Sequence, residues 1–284
     1  KIPLAWMIGR VAQRLNSRKF GKEKLGYIDG SCNLILKEIL KRLKRNKNVK
    51  LINNAKKKNF KVDKKKFKSI KVNNKVIEGG KILFTCPTQS ITKIIKNNSQ
   101  ALSKKLKKIN YLGACCVILI MKRKLSDIYW LNVADKNLSF GGVIEHTNLV
   151  DAKKYKNNHI IYLSRYFDKK SSFAKKKDKD IIGNMIRDLQ KINKNFDKKN
   201  LIEVFIFRSK HAAILNNLNF SKKIVSCKTD LENLFISNMM HIYPDERSIN
   251  NSIRVSANAC RSMGMKKVAV PTNQSLSAQI GFKN

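Results

Sequence analysis

Residues 233–251 read NLFISNMMHIYPDERSINN. Leu234, Phe235 and Ile236 form a short apolar run without alternation, the pattern of a strand buried on both faces. Tyr243-Pro244-Asp245-Glu246-Arg247 then turns the chain with a proline and an acid–base triplet, and a closing helix is expected over residues 248–262. The start of a helix presents unpaired N–H groups and the positive end of its dipole, which suits an anion or an electron-rich carbonyl. This is the sharpest signal in the chain.

Working outward, strands and helices interleave. Leu4, Met7, Ile8, Val11 and Leu15 lie at helical spacing behind Pro3. Residues 21–30 read as a loop, and Leu34, Ile35, Ile39, Leu40 and Leu43 mark a second amphipathic helix. Asn46 to Asn48 stop it, and Val49, Leu51 and Ala55 are expected to begin a strand. Residues 56–66 read as lysine-rich surface. Phe67, Ile70 and Val72, a hairpin turn at Asn73-Asn74, Val76-Ile77, a turn at Gly79-Gly80 and residues 81–85 predict a three-stranded meander that Pro87 stops.

Residues 91–108 read as one basic helix. Residues 111–122 are apolar on both faces and predict a central strand. Further strands are expected at 129–133, 143–146, 160–166 and 201–207, with a loop or helix start at 169–179 and a helix over 181–192. The class that follows is α/β or α+β.

The net charge of +42 invites a nucleic-acid reading. Of the 61 basic residues, however, 49 are Lys and only 12 Arg, and Asn pairs recur at 53–54, 73–74 and 97–98. Lys and Asn rise together in A/T-rich coding sequence, whereas bidentate recognition of phosphates or bases favours Arg. The charge is also spread along the chain rather than gathered in an arm. Six cysteines without C-x-x-C spacing and four scattered histidines give no disulfide framework and no zinc site, as in a reducing compartment. The longest apolar segment holds 11 residues, short of the roughly 20 a membrane-crossing helix needs. No signal-peptide pattern is present, so a cytoplasmic location is expected.

Together with Gly26-Tyr27…Gly30 and Ile128-Tyr129-Trp130-Leu131-Asn132, the 233–251 stretch resembles the amine oxidase and protoporphyrinogen oxidase group of FAD-dependent oxidoreductases. The resemblance spans residues 1–263 and rests on several short motifs. Those proteins open with a strand, a G-x-G-x-x-G loop and a helix, and these 284 residues contain no such loop. The resemblance therefore implies a partial FAD-binding domain with its meander (1–98), an inserted mixed-sheet substrate domain (99–225), a return to the FAD-binding domain (226–262) and a tail of unclear origin (263–284).

It also implies roles. The family has a glycine pair before the second helix, where this chain has Gly30-Ser31, and Ser lacks the conformational freedom of Gly. Ala55 stands where a backbone contact to adenine is expected, and Thr85-Cys86-Pro87 matches a T-x-P turn that passes near the cofactor. Tyr243, Asp245 and the helix behind them would lie by the flavin ring, with Ser248, Asn250 and Asn251 as donors. Arg247 would pair with Asp245 or a phosphate. Trp130, His146, Tyr162 and Arg165 would come from the inserted domain as an aromatic-walled substrate pocket, with His146 as a base. The cofactor carries the redox chemistry in such enzymes, and no G-x-S-x-G nucleophile motif is present.

Three functions stay open at this point. One is an oxidoreductase passing a hydride from a small organic substrate to FAD, incomplete as this chain. The second is a non-catalytic remnant, or half of a split flavoprotein that assembles with a separate N-terminal nucleotide-binding half. The third is a basic protein that binds nucleic acid or an anionic surface.

Overall fold

The computed structural model describes residues 2–16, 18–19, 22–23, 26–55, 58–266 and 268. Nearly all of the tail, including residues 269–284, lies outside the described residues. The chain divides into two compact units. Unit 1 comprises Lys1–Lys24, Lys37–Asn110 and Ile214–Asn284; unit 2 comprises Leu25–Leu36 and Tyr111–Ala213.

In chain order, helix α1 (Leu4–Asn16) is followed by the paired short strands β1 (Arg18–Lys19) and β2 (Lys22–Glu23) and helix α2 (Asn33–Arg45). Strands β3 (Lys58–Asp63), β4 (Lys66–Val72), β5 (Lys75–Glu78) and β6 (Ile82–Phe84) lead to helices α3 (Thr88–Ile95) and α4 (Gln100–Lys107). Then come β7 (Tyr111–Met121), β8 (Trp130–Asn132), β9 (Gly142–Glu145) and β10 (His159–Phe167). Helices α5 (Ser172–Lys175) and α6 (Asp178–Ile192) precede β11 (Leu201–Ile214), and β12 (Leu234–Ile236) and α7 (Ile249–Ser262) follow.

In unit 1, β3, β4 and β5 form an antiparallel meander whose Asn73-Asn74 turn has both residues in the left-handed region, as a tight hairpin requires. The third strand of the expected meander is a different one. β6 leaves it and pairs in parallel with β12, Leu83 opposite Phe235. Residues 58–63, expected as surface, supply the missing strand. β12 is buried throughout, and that burial needs neighbours on both faces, which an exposed hairpin edge such as β5 does not offer.

Two further expectations are corrected. Residues 49–55 form no strand: Leu51 and Ile52 are exposed, and an extended segment without a neighbour to share its hydrogen bonds is not part of a sheet. The single helix expected over 91–108 is two. Ser99 breaks it by capping α4, its hydroxyl accepting from Leu102 N at 3.1 Å.

Unit 2 is a five-stranded antiparallel sheet in the order β11-β7-β10-β9-β8. One face carries Val117, Leu119, Ile161 and Leu163 against Ile181, Met185 and Leu189 of α6, all buried. Each such side chain contributes about 1.5–3 kcal/mol relative to exposure. Gly113 on β7 admits the Phe167 ring of β10, where a Cβ would come 2.4 Å from it. No helix among the described residues is long and apolar enough to cross a membrane.

Candidate functional site

In unit 1, two loops leave the carboxyl ends of the parallel pair β6/β12 and are stitched together. Ser237 N donates to Phe84 O at 2.9 Å, and Asn238 Nδ2 donates to Cys86 O at 2.9 Å. This joins the Thr85-Cys86-Pro87 exit to the segment that carries Tyr243, Asp245, Arg247, Asn250 and Asn251. Pro87 ends the strand and serves as the N-cap of α3. Ligands of open α/β sheets bind at such strand ends. Ala55 is not part of this stitching; the carbonyl of its neighbour Asn54 accepts from Asn73 Nδ2 at the meander's turn.

The segment between β12 and α7 is fixed by its own polar groups. Asn238 caps a short turn with its side chain on Met240 N, and His241 Nδ1 accepts from Asn238 N at 3.2 Å. An accepting Nδ1 leaves the proton on Nε2, which donates to Val225 O at 2.9 Å. Burial holds the His241 pKa below its ordinary value, favouring this neutral form. The Tyr243 ring packs on Phe220 at 5.1 Å, and burial pushes its phenol upward.

Asp245 accepts from Arg254 Nη2 of α7 at 2.6 Å, with side chains only 8% and 14% exposed. Glu246 pairs with Arg10 of α1, whose guanidinium lies over Trp6. Gly9 allows that helix close approach: a Cβ there would sit 3.1 Å from Pro244 O. Ser248 caps α7 through Asn251 N, and Asn251 Nδ2 donates to Glu246 O at 2.7 Å. Asn251 is thus consumed within the bend. Among the described residues, the N–H groups of Ile249 and Asn250 in the first turn have no hydrogen-bond partner.

In unit 2, strand register decides which expected residues meet. Trp130 lies opposite Ile144, Ile144 opposite Tyr162, and Tyr162 opposite Ile118, so this row shares the face away from α6. Arg165 is on the other face. Its guanidinium lies over Phe173 and donates to Leu138 O, so it does not join Tyr162.

His146 follows β9 and is 6% exposed. Its ring meets Tyr27, Tyr155 and Tyr162 edge-on at 4.9, 5.4 and 5.9 Å, and Nε2 lies 2.7 Å from Tyr155 Oη. Burial lowers the His146 pKa and raises those of Tyr155 and Tyr162, so all three are neutral near pH 7. Glu145 is no partner for this histidine; its carboxylate accepts from Leu125 N, Ser126 N and Ser126 Oγ.

Beside the cluster lies a cavity of about 710 Å³ lined by Tyr27, Gly30, Ser31, Val150, Lys154 and Tyr155, among others. Gly30 and Ser31 both have left-handed backbones, φ 81° and 77°. The second of these is a strained conformation for a serine. Asp29 and Lys154 pair at its rim, and the lysine holds the Asp29 carboxyl below its usual range.

Apart from Ala55 and Arg165, the expected residues thus gather in two groups, one in each unit. Sequence reasoning missed Arg254 and Arg10, which clamp the bend, and the roles of Tyr27 and Tyr155. Tyr155 sits in a lysine-rich stretch without a motif, and only its distance to His146 reveals it. Among the described residues no cluster of His, Cys, Asp and Glu is suited to a metal ion.

No family model matches the chain, and no curated protein matches it in sequence. Solved structures do share its fold. An oxidoreductase from Methanosarcina mazei matches at a TM-score of 0.62 and 12% identity, over 84% of this chain and 55% of that one. A protein described as a protoporphyrinogen oxidase, from Exiguobacterium sp. 255-15, matches at 0.57 and 10%, over 72% and 46%. Reduced UDP-galactopyranose mutase matches at 0.56 and 12%, over 70% and 44%. The chain spans about half the length of these structures. At such identities the likeness establishes the fold alone: a mixed α/β arrangement with several sheets, of the kind found in these structures.

Proposed function

We propose that this chain supplies the ring-side and substrate-side parts of an FAD-dependent oxidoreductase that takes a hydride from a small organic molecule. The observation that carries the reading is the convergence of the two loops at the β6/β12 strand ends, with the free N–H groups of Ile249 and Asn250 behind them. Such donors favour negative charge on a flavin ring. The donor set fits the ring end of the cofactor. It does not supply the pyrophosphate end, because no G-x-G-x-x-G turn occurs in the 284 residues.

A segment carrying that turn, in the same polypeptide or a separate nucleotide-binding half, completes the site in this reading. Exposed apolar stripes support it. Leu4, Met7, Val11 and Leu15 of α1 are exposed, as are Leu36, Ile39 and Leu40 of α2. Amphipathic helices bury such stripes in finished domains.

FAD, when bound, supplies the hydride acceptor. The chain's own residues bind and orient. Asp245 and Arg254 hold the bend rigid; Thr85 and Pro87 set the neighbouring exit. Unit 2 is the substrate domain in this proposal: Trp130 and Tyr162 wall an apolar surface, and neutral His146, buried behind the cavity-lining Tyr155 to which it is hydrogen-bonded, is the base in this reading. Gly30 and Ser31 line the adjoining cavity.

FAD content tests the proposal. The chain alone is expected to purify with little flavin, and the chain joined to a G-x-G-x-x-G segment with a stoichiometric amount. Stoichiometric flavin on the chain alone, or none on the joined protein, would overturn it.

A further inference from the structure

A second cavity, of about 330 Å³, lies within unit 1 between the end of α4 and the loop over residues 222–230. Five of its eleven lining residues are lysines: Lys105, Lys108, Lys222, Lys223 and Lys228. That is about 45%, against 49 of 284 or about 17% for the whole chain, so composition alone does not account for the concentration. Among the described residues the only carboxylate in the lining is Asp230, which leaves a net charge of five minus one, or +4.

Lys223 Nζ donates to Asn217 Oδ1 at 2.6 Å. The other four lysines have no ion-pair partner among the described residues. The dipole of α4 favours cations at its end and explains a lysine such as Lys105. It does not explain Lys222, Lys223 and Lys228, which arrive on a different segment. Beneath them Leu102 and Val225 are buried, and an apolar floor strengthens the repulsion among like charges and their attraction for an anion.

The cavity shares no lining residue with the candidate cofactor site, although its Val225 O accepts from His241 of the bend segment. Thr229 N and Oγ1 both donate to Leu234 O, at the start of β12, whereas the bend leaves from that strand's other end. Among the described residues the lining holds no arginine for bidentate recognition and no aromatic ring for stacking a base. Point charges on flexible stems suit a compact, multiply charged anion.

We propose that this cavity binds a small polyphosphate-bearing molecule through its phosphates, independently of the flavin reading. Calorimetric titration of the full chain with inorganic tripolyphosphate tests it, with circular dichroism confirming that each variant is folded. One equivalent is expected to bind. Lys105→Glu with Lys222→Glu is expected to weaken binding at least about tenfold, while the charge-matched pair Lys198→Glu with Lys199→Glu changes it less than about twofold. The milder Lys105→Gln with Lys222→Gln pair should fall between the two. ATP should bind about as well as tripolyphosphate. Equal losses in the two glutamate pairs, no binding by the unaltered chain, or marked preference for an oligonucleotide over tripolyphosphate would overturn the proposal.

Discussion

The bend at the β6/β12 strand ends and the His146 cluster use polar residues in opposite ways. In the bend, Asp245, Glu246, Asn251, Asn238 and His241 all bind other protein groups, leaving two backbone N–H groups of α7 free among the described residues. In the cluster, buried His146 has Tyr155 as its close polar partner, and Tyr155 and Tyr27 line a cavity of about 710 Å³. The first region is a rigid frame that presents backbone donors; the second presents side chains to open space. Acidic and basic residues in a motif are therefore not automatically the groups that meet a ligand.

The sharpest way to break this contrast is Arg254→Ala. It takes the Arg254 guanidinium away from the buried Asp245 carboxylate, and a broken buried pair costs about 3–5 kcal/mol. Trp6 lies in unit 1 and Trp130 in unit 2, so fluorescence of single-tryptophan variants in urea reports each unit separately. The loss should appear in the Trp6 transition. A shift confined to Trp130 would mean that the clamp does not hold the bend.

Tyr155→Phe should have a smaller effect, about 0.5–1.5 kcal/mol, read from Trp130, because it removes one hydrogen bond beside a cavity. A cost matching that of Arg254→Ala would erase the distinction between frame and open cluster.

The smallest effect concerns pH. His241 and His146 both have pKa values held below the ordinary 6.5 by burial, so the unfolded chain binds protons that the folded chain refuses. Their contribution to stability is complete above the unfolded value and is lost as pH falls below about 6.5. His241 has an added reason, since protonating Nδ1 breaks its bond from Asn238 N. His241→Gln should flatten the acid-side loss in unit 1 and leave unit 2 unchanged, measured by urea unfolding at several pH values.

What was legible in the sequence was local. The start of α7 near Ser248, the Asn73-Asn74 turn and the apolar run of β7 each depend on neighbours a few residues away. The β6/β12 pairing joins segments about 150 residues apart, and no local pattern announces it. The same holds for Arg10 with Glu246 and for Tyr27 with His146. Residues 49–55 misled because their composition suits a strand, whereas a strand also needs an adjacent chain to bond with. Arg165 misled by proximity: three residues from Tyr162 in a strand is an odd step, which reverses the face.

The two free N–H groups of α7 are the centre of the account, and the reduction potential of FAD in the completed protein tests them most directly. Ile249→Pro removes one of them at a position where helices tolerate proline. If these donors face the flavin ring, the potential becomes more negative than in the unaltered protein, because negative charge on the reduced ring loses a stabilising donor. An unchanged potential with full flavin content would contradict the account.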